Sequence, residues 1–116
     1  MPCSNMYDIY VLKVCTDADS YSAKATSIDC VATYGGGSIA TFDYLMKLEV
    51  WNGYEWKADE VKSGYFSHST PKKVFKLSHQ KLLKKGSNSC RVRLQATNRK
   101  TNAKYSIRTP AFIVKR

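Results

Sequence analysis

The groups able to do acid–base, nucleophilic or metal chemistry in this chain are few. They are two histidines, His68 and His79, four cysteines, Cys3, Cys15, Cys30 and Cys90, and nine carboxylates, none of which lies beyond Glu60. General acid–base or nucleophilic catalysis needs a base within hydrogen-bond reach of the group it activates, itself oriented by a third group. His68 and His79 instead flank an expected strand, and no Ser or Cys stands in a nucleophile motif. Asp17 with Asp19 is the one close carboxylate pair at a strand end, and it brings no further calcium ligands with it. No two cysteines form a CxxC pair, so no zinc site is expected. The chain therefore reads as a non-enzyme without metal or cofactor.

Charge is the sharper signal. Residues 1–60 hold all nine carboxylates against four Lys, whereas 61–116 hold fifteen Lys and Arg and no acid, giving a net charge of +10. Either the two halves neutralise each other in the fold, or a basic face is offered to an anionic partner.

The length of 116 residues predicts one domain, residues 7–116, preceded by a tail over 1–6; a chain of this size needs no metal or disulfide to fold. The apolar share of 43%, with eight Tyr, four Phe and two Trp, is globular rather than disordered. No run approaches the length that crosses a bilayer, and Met1 to Cys15 lacks the basic start and apolar stretch of a signal peptide. The four cysteines allow three disulfide pairings, and buried free thiols are equally compatible.

Apolar residues alternate with period two between breakers, the pattern of an all-β chain. Strands are expected over 7–14, 25–34, 41–51, 54–57, 64–68, 73–78, 89–97 and 105–115, with a helical turn near 79–83 and a flexible connection at Gly35-Gly36-Gly37-Ser38. Phe42, Tyr44, Met46, Leu48 and Val50 form the inner face of the long third strand. Asn52-Gly53 reads as a two-residue hairpin turn, which would set Trp51 opposite Tyr54 and Glu49 opposite Trp56. Seven to eight short strands of this kind suit a two-sheet antiparallel sandwich.

Arg91-Val-Arg-Leu-Gln-Ala-Thr-Asn98, followed by Tyr105-Ser106 and Pro110, resembles the F strand, F–G loop and G strand of fibronectin type III modules, and Leu83-Lys-Lys-Gly86 is similar to the turn before that F strand. Cys90 stands where that family has its corner tyrosine. Cys30 and Cys90 on the second and F strands instead resemble the inter-sheet disulfide of immunoglobulin domains. The resemblance implies an immunoglobulin-like or fibronectin type III-like sandwich in which Cys30 and Cys90 are paired. The spacing from the Gly-rich loop to Trp56 and Tyr65 also resembles bacterial cell-surface modules of this class.

In such a sandwich the acidic early strands lie against the basic late ones, so Asp29 can meet Lys76, and Asp43 or Glu49 can meet Arg91 and Arg93. The B–C, D–E and F–G loops would gather His68, Lys72, Lys73, Arg99, Lys100 and Lys104 into a basic pole for an anionic ligand. The opposite end, with Asp17, Asp19 and Glu55 near Lys81, Lys84 and Lys85, reads as mixed. Trp51, Tyr54 and Trp56 would share an outward face able to stack a sugar ring or anchor a protein. The expectation is a non-catalytic binding or adhesion module for a protein or glycan, extracellular or on a cell surface. A polyanion or nucleic-acid binder using the same pole is the alternative function, and a cytoplasmic location is compatible with the lack of a signal-peptide pattern.

Overall fold

A computed structural model describes Cys3 and residues 12–116. The expected tail (apart from Cys3) and the 7–11 part of the first expected strand lie outside those residues. The described strands are β1 (Leu12–Thr16), β2 (Ser20–Tyr21), β3 (Ser27–Tyr34), β4 (Phe42–Trp51), β5 (Trp56–Phe66), β6 (Lys73–Lys76), β7 (Ser87–Asn98), β8 (Lys104–Arg108) and β9 (Phe112–Lys115), with one 3-10 turn at Leu77–His79. They form two sheets, ordered β1-β3-β6 and β2-β9-β7-β4-β5, with β8 beside β7. The chain is thus an all-β, two-sheet sandwich of immunoglobulin-like type.

The period-two pattern becomes a packed layer because alternate side chains of a strand point to opposite faces. Leu12, Val14, Ile28, Cys30, Ala32 and Phe75 from the smaller sheet meet Phe42, Tyr44, Met46, Leu48, Val92, Leu94 and Val114 from the larger, all nearly inaccessible to solvent. Phe42 joins the two layers at one end, its ring packed edge-on to Tyr34 at 5.0 Å and stacked on Phe66 at 5.6 Å.

Three expectations are corrected. The strands foreseen at 54–57 and 64–68 are one strand, β5, paired along β4 with a shift in register between Lys47 and Glu49. An irregularity of that kind absorbs an extra residue without ending the ladder, which is why the polar 58–63 stretch continues the strand. The strand foreseen at 105–115 is two, because Pro110 has no N–H to give. Just before it, Thr109 donates its N–H to Val92 O at 2.9 Å and accepts the Val92 N–H on Oγ1 at 3.0 Å, so the chain leaves β7 and rejoins it without orphaning a buried group. Ser20 and Tyr21, which lie between the first two expected strands, form a short strand parallel to β9.

The disulfide is also not where the immunoglobulin resemblance put it. Cys30 and Cys90 are buried free thiols, and the bond joins Cys3 to Cys15, which also pair across a β-bridge. Cys30 lies four residues from Tyr34 at the end of β3, whereas Cys90 lies eight residues from Asn98 at the same end of β7. That offset corresponds to about 13 Å along the strands, beyond what a disulfide spans. Burial pushes both thiols up to about 12. Native protein should therefore leave Ellman's reagent uncoloured, and unfolding in guanidinium without reductant should release two reactive thiols per chain; none after unfolding would mean that Cys30 and Cys90 are bonded after all.

Candidate functional site

The three loops foreseen as a pole do meet. His68 O accepts the Tyr34 N–H at 2.8 Å, Thr41 O accepts the Arg99 N–H at 2.9 Å, and Thr41 Oγ1 lies 3.0 Å from Ser67 Oγ. The glycine connection is less free than its composition suggests: the Tyr34 ring lies against Gly36, where any Cβ would collide with it, and its hydroxyl is 3.2 Å from Ser38 Oγ.

Several of the six expected cations are already engaged. Arg99 grips Asp43 through Nε and Nη2 at 2.8 to 3.1 Å and lies over the Tyr65 ring at 4.6 Å. Lys72, not Lys76, is the partner of Asp29, at 3.5 Å, because Asp29 sits opposite Val74 in the register while Lys76 faces Ser27. Lys73 is half-buried with its ammonium 6.0 Å above Tyr44. His68, Lys100 and Lys104 remain exposed.

The aromatic hairpin is built differently from the expected two-residue turn. Asn52 Oδ1 accepts the N–H groups of Tyr54 and Glu55 at 2.8 and 2.9 Å, and Asn52 N–H bonds Glu55 O at 3.1 Å. This side-chain turn widens the loop to Asn52–Glu55, with Gly53 at φ 101°. The register therefore pairs Trp51 with Trp56 and Glu49 with Ala58. The two indoles lie 5.4 Å apart, while Tyr54 projects from the turn at 90% exposure and takes no part in the platform.

A residue that had been read only as strand charge completes the platform. Arg91 lies with its guanidinium carbon 4.2 Å above the Trp56 ring and donates Nε–H to Glu49 Oε1 at 2.7 Å. Glu49 is buried although it faces outward, and Arg93 Nε lies 3.3 Å from its second oxygen without hydrogen-bond alignment. The antiparallel pairing of β4 with β7 is what sets Glu49 opposite Arg91. Around this cluster the outer face of the larger sheet exposes Leu45, Trp51, Val61, Tyr65 and Ile113.

A second feature lies at the opposite end, where the 81–86 loop docks on the sheet. Asp59 accepts the N–H groups of Lys81 and Leu82 at 3.0 and 2.7 Å. Buried Asn88 accepts the Lys84 N–H and donates to the carbonyls of Lys84, Gly86 and Val114. It braces the turn that a corner tyrosine would brace. The sign available beforehand was a polar residue in phase with Cys90, Val92 and Leu94. The described residues contain no group of three or more His, Cys, Asp or Glu able to hold a metal.

The YqgA MG2 macroglobulin domain family matches residues 4–115, nearly the whole chain. No curated protein and no solved structure matches it.

Two outcomes follow from the ion pairs. Glu49→Ala strands two half-buried arginines and should cost about 2 to 3 kcal/mol in a denaturant melt, whereas Asp43→Ala, on an exposed pair, should move the midpoint little. The Arg99 guanidinium holds the Asp43 carboxyl below the usual carboxylate range, so the pair is complete at neutral pH and lost as pH falls through that lowered value. Arg99→Ala should move the Asp43 titration up to ordinary values when followed by carbon-detected NMR.

Proposed function

The chain belongs to the YqgA MG2 macroglobulin domain family, and from that premise we propose that it is a non-catalytic binding module whose outer sheet face recognises a protein or glycan partner. Immunoglobulin-like macroglobulin domains are generally non-catalytic. The observation that carries the reading is the exposed row of Leu45, Trp51, Val61 and Tyr65 on the β4–β5 face. In a sandwich the solvent face of an antiparallel sheet is ordinarily polar, and large apolar side chains exposed together on such a face suit an interaction surface. Here they are spread over about 26 Å along β4 at the usual rise per residue, with Lys47, Glu49 and Ser63 set among them. The face is flat and rigid because it stands on paired strands, and Arg91 above Trp56 adds an anchor of the kind that dominates interface energetics.

The basic loop pole supports a polyanion partner less well. Arg99 and Lys72 face their own carboxylates, so an anion would have to displace Asp43 to take the Arg99 fork.

The test is a panel of neutral and acidic oligosaccharides together with a displayed-peptide library, each probed with wild type, with Trp51→Ala and with the pair Leu45→Lys and Val61→Lys. Binding by wild type that drops at least tenfold in the face variants is the expected result. Binding that survives them but disappears with Lys100→Ala and Lys104→Ala would move recognition to the loop pole. Silence across both panels would overturn the reading.

A further inference from the structure

We propose that the groove at the hairpin end of the larger sheet binds an acidic sugar chain, a pyranose backbone bearing carboxylate or phosphate groups. The inference rests on the binding-module reading above and names the ligand class and the place. The groove encloses about 610 Å³ between the end of β4, the start of β7 and the 81–86 loop, with Trp51, Lys57, Lys84, Lys85, Ser89 and Ile113 in its lining. That volume lies within the range of small-molecule sites.

Three observations converge there. The first is charge without a counter-charge: Lys57, Lys84 and Lys85 are exposed, and none of them has a carboxylate within ion-pair distance among the described residues. The two pole cations best placed to grip an anion, Arg99 and Lys72, do have such partners. Asp59 accepts the backbone N–H groups of Lys81 and Leu82 and so brings one negative charge to the 81–86 loop, against the three lysines of the groove lining. The end of the molecule that looked mixed in sequence therefore holds three unpaired lysines around one groove, while the loop pole keeps Lys100 and Lys104 unpaired as well.

The second is rigidity. Lysine is a point charge on a flexible stem and gives little geometric selection unless its backbone is fixed. Asn88 fixes it here with bonds to both the N–H and the carbonyl of Lys84 and to the carbonyl of Gly86, and Gly86 in turn exchanges two backbone bonds with Arg116.

The third is the aromatic wall. Trp51 is 42% exposed, is backed by Trp56 and borders the same groove, so a ring can lie on the indole while its anionic substituents reach the lysines. Hydroxyls of Ser87 and Ser89 and the amide of Asn52 line the remaining wall and suit a polyhydroxylated ligand better than an apolar peptide.

The experiment is a tryptophan-fluorescence titration with four probes, at low and at physiological salt: tetragalacturonate, a phosphate-substituted oligosaccharide, neutral cellotetraose, and inorganic polyphosphate. One or both acidic sugars should bind, tell carboxylate from phosphate by their ratio, and weaken as salt rises. Lys84→Ala with Lys85→Ala should weaken them at least tenfold, as should Trp51→Ala, while Lys100→Ala with Lys104→Ala should leave them unchanged. Polyphosphate binding as tightly as the sugars would mean that charge alone is read and would overturn the proposal, as would cellotetraose binding equally well or acidic-sugar binding indifferent to the lysine changes. If no sugar binds while peptides still bind through Leu45 and Val61, the groove proposal falls and the binding-module reading stands.

Discussion

The pairing of β4 with β7 carries two kinds of side chain at once, and the rest of the molecule is arranged around that ladder. On its inner side the paired residues Tyr44 and Ala96, Met46 and Leu94, Leu48 and Val92, and Val50 and Cys90 form the apolar floor on which the smaller sheet rests. On its outer side the same register sets Glu49 against Arg91. A one-residue slip would exchange the faces, putting Glu49 and Arg91 into the core and Leu48 and Val92 into water. The buried outer ion pair is therefore worth more as a register lock than as net stability, since desolvating the two charges offsets much of their attraction.

This double use explains which features could be read beforehand. Alternation alone is enough to place Phe42, Tyr44, Met46, Leu48 and Val50 inward, and the packing of early strands beside late ones in a sandwich is enough to predict that Glu49 meets an arginine of β7. What alternation cannot reveal is anything set by a single side chain bonding to backbone. Asn52 widens the hairpin by accepting two N–H groups, and that one change pairs Trp51 with Trp56 rather than with Tyr54. Thr109 and Pro110 divide the last strand in the same way. The Cys30–Cys90 pairing failed for a related reason: the pattern says that both thiols face the core, but their heights along the strands depend on where each strand ends.

Charge followed the same rule. The acid-free run after Glu60 is partly consumed by the early half, as foreseen, but the loops foreseen to hold the remainder are among its users. Arg99 closes on Asp43 because the F–G loop leaves β7 directly beside the start of β4, where Phe42 pairs with Asn98. At the 81–86 loop Asp59 bonds the backbone of Lys81 and Leu82 rather than a lysine side chain.

The bond between Cys3 and Cys15 gives the chain a redox-dependent route for mechanical force. A pull arriving ahead of Cys3 passes through sulfur into β1 at Cys15 as well as along the backbone that enters β1 at Leu12. At the other end Arg116 is fastened to Gly86, and β9 lies along β7 as a ladder that must shear before it opens. Reduction would leave only the backbone from Cys3 to Leu12, where β1 begins, nine positions on and at most about 30 Å at full extension, without disturbing the core thiols. In a molecule loaded through its ends, the oxidising state of its surroundings would then set how far it can stretch before its sheets are asked to bear anything.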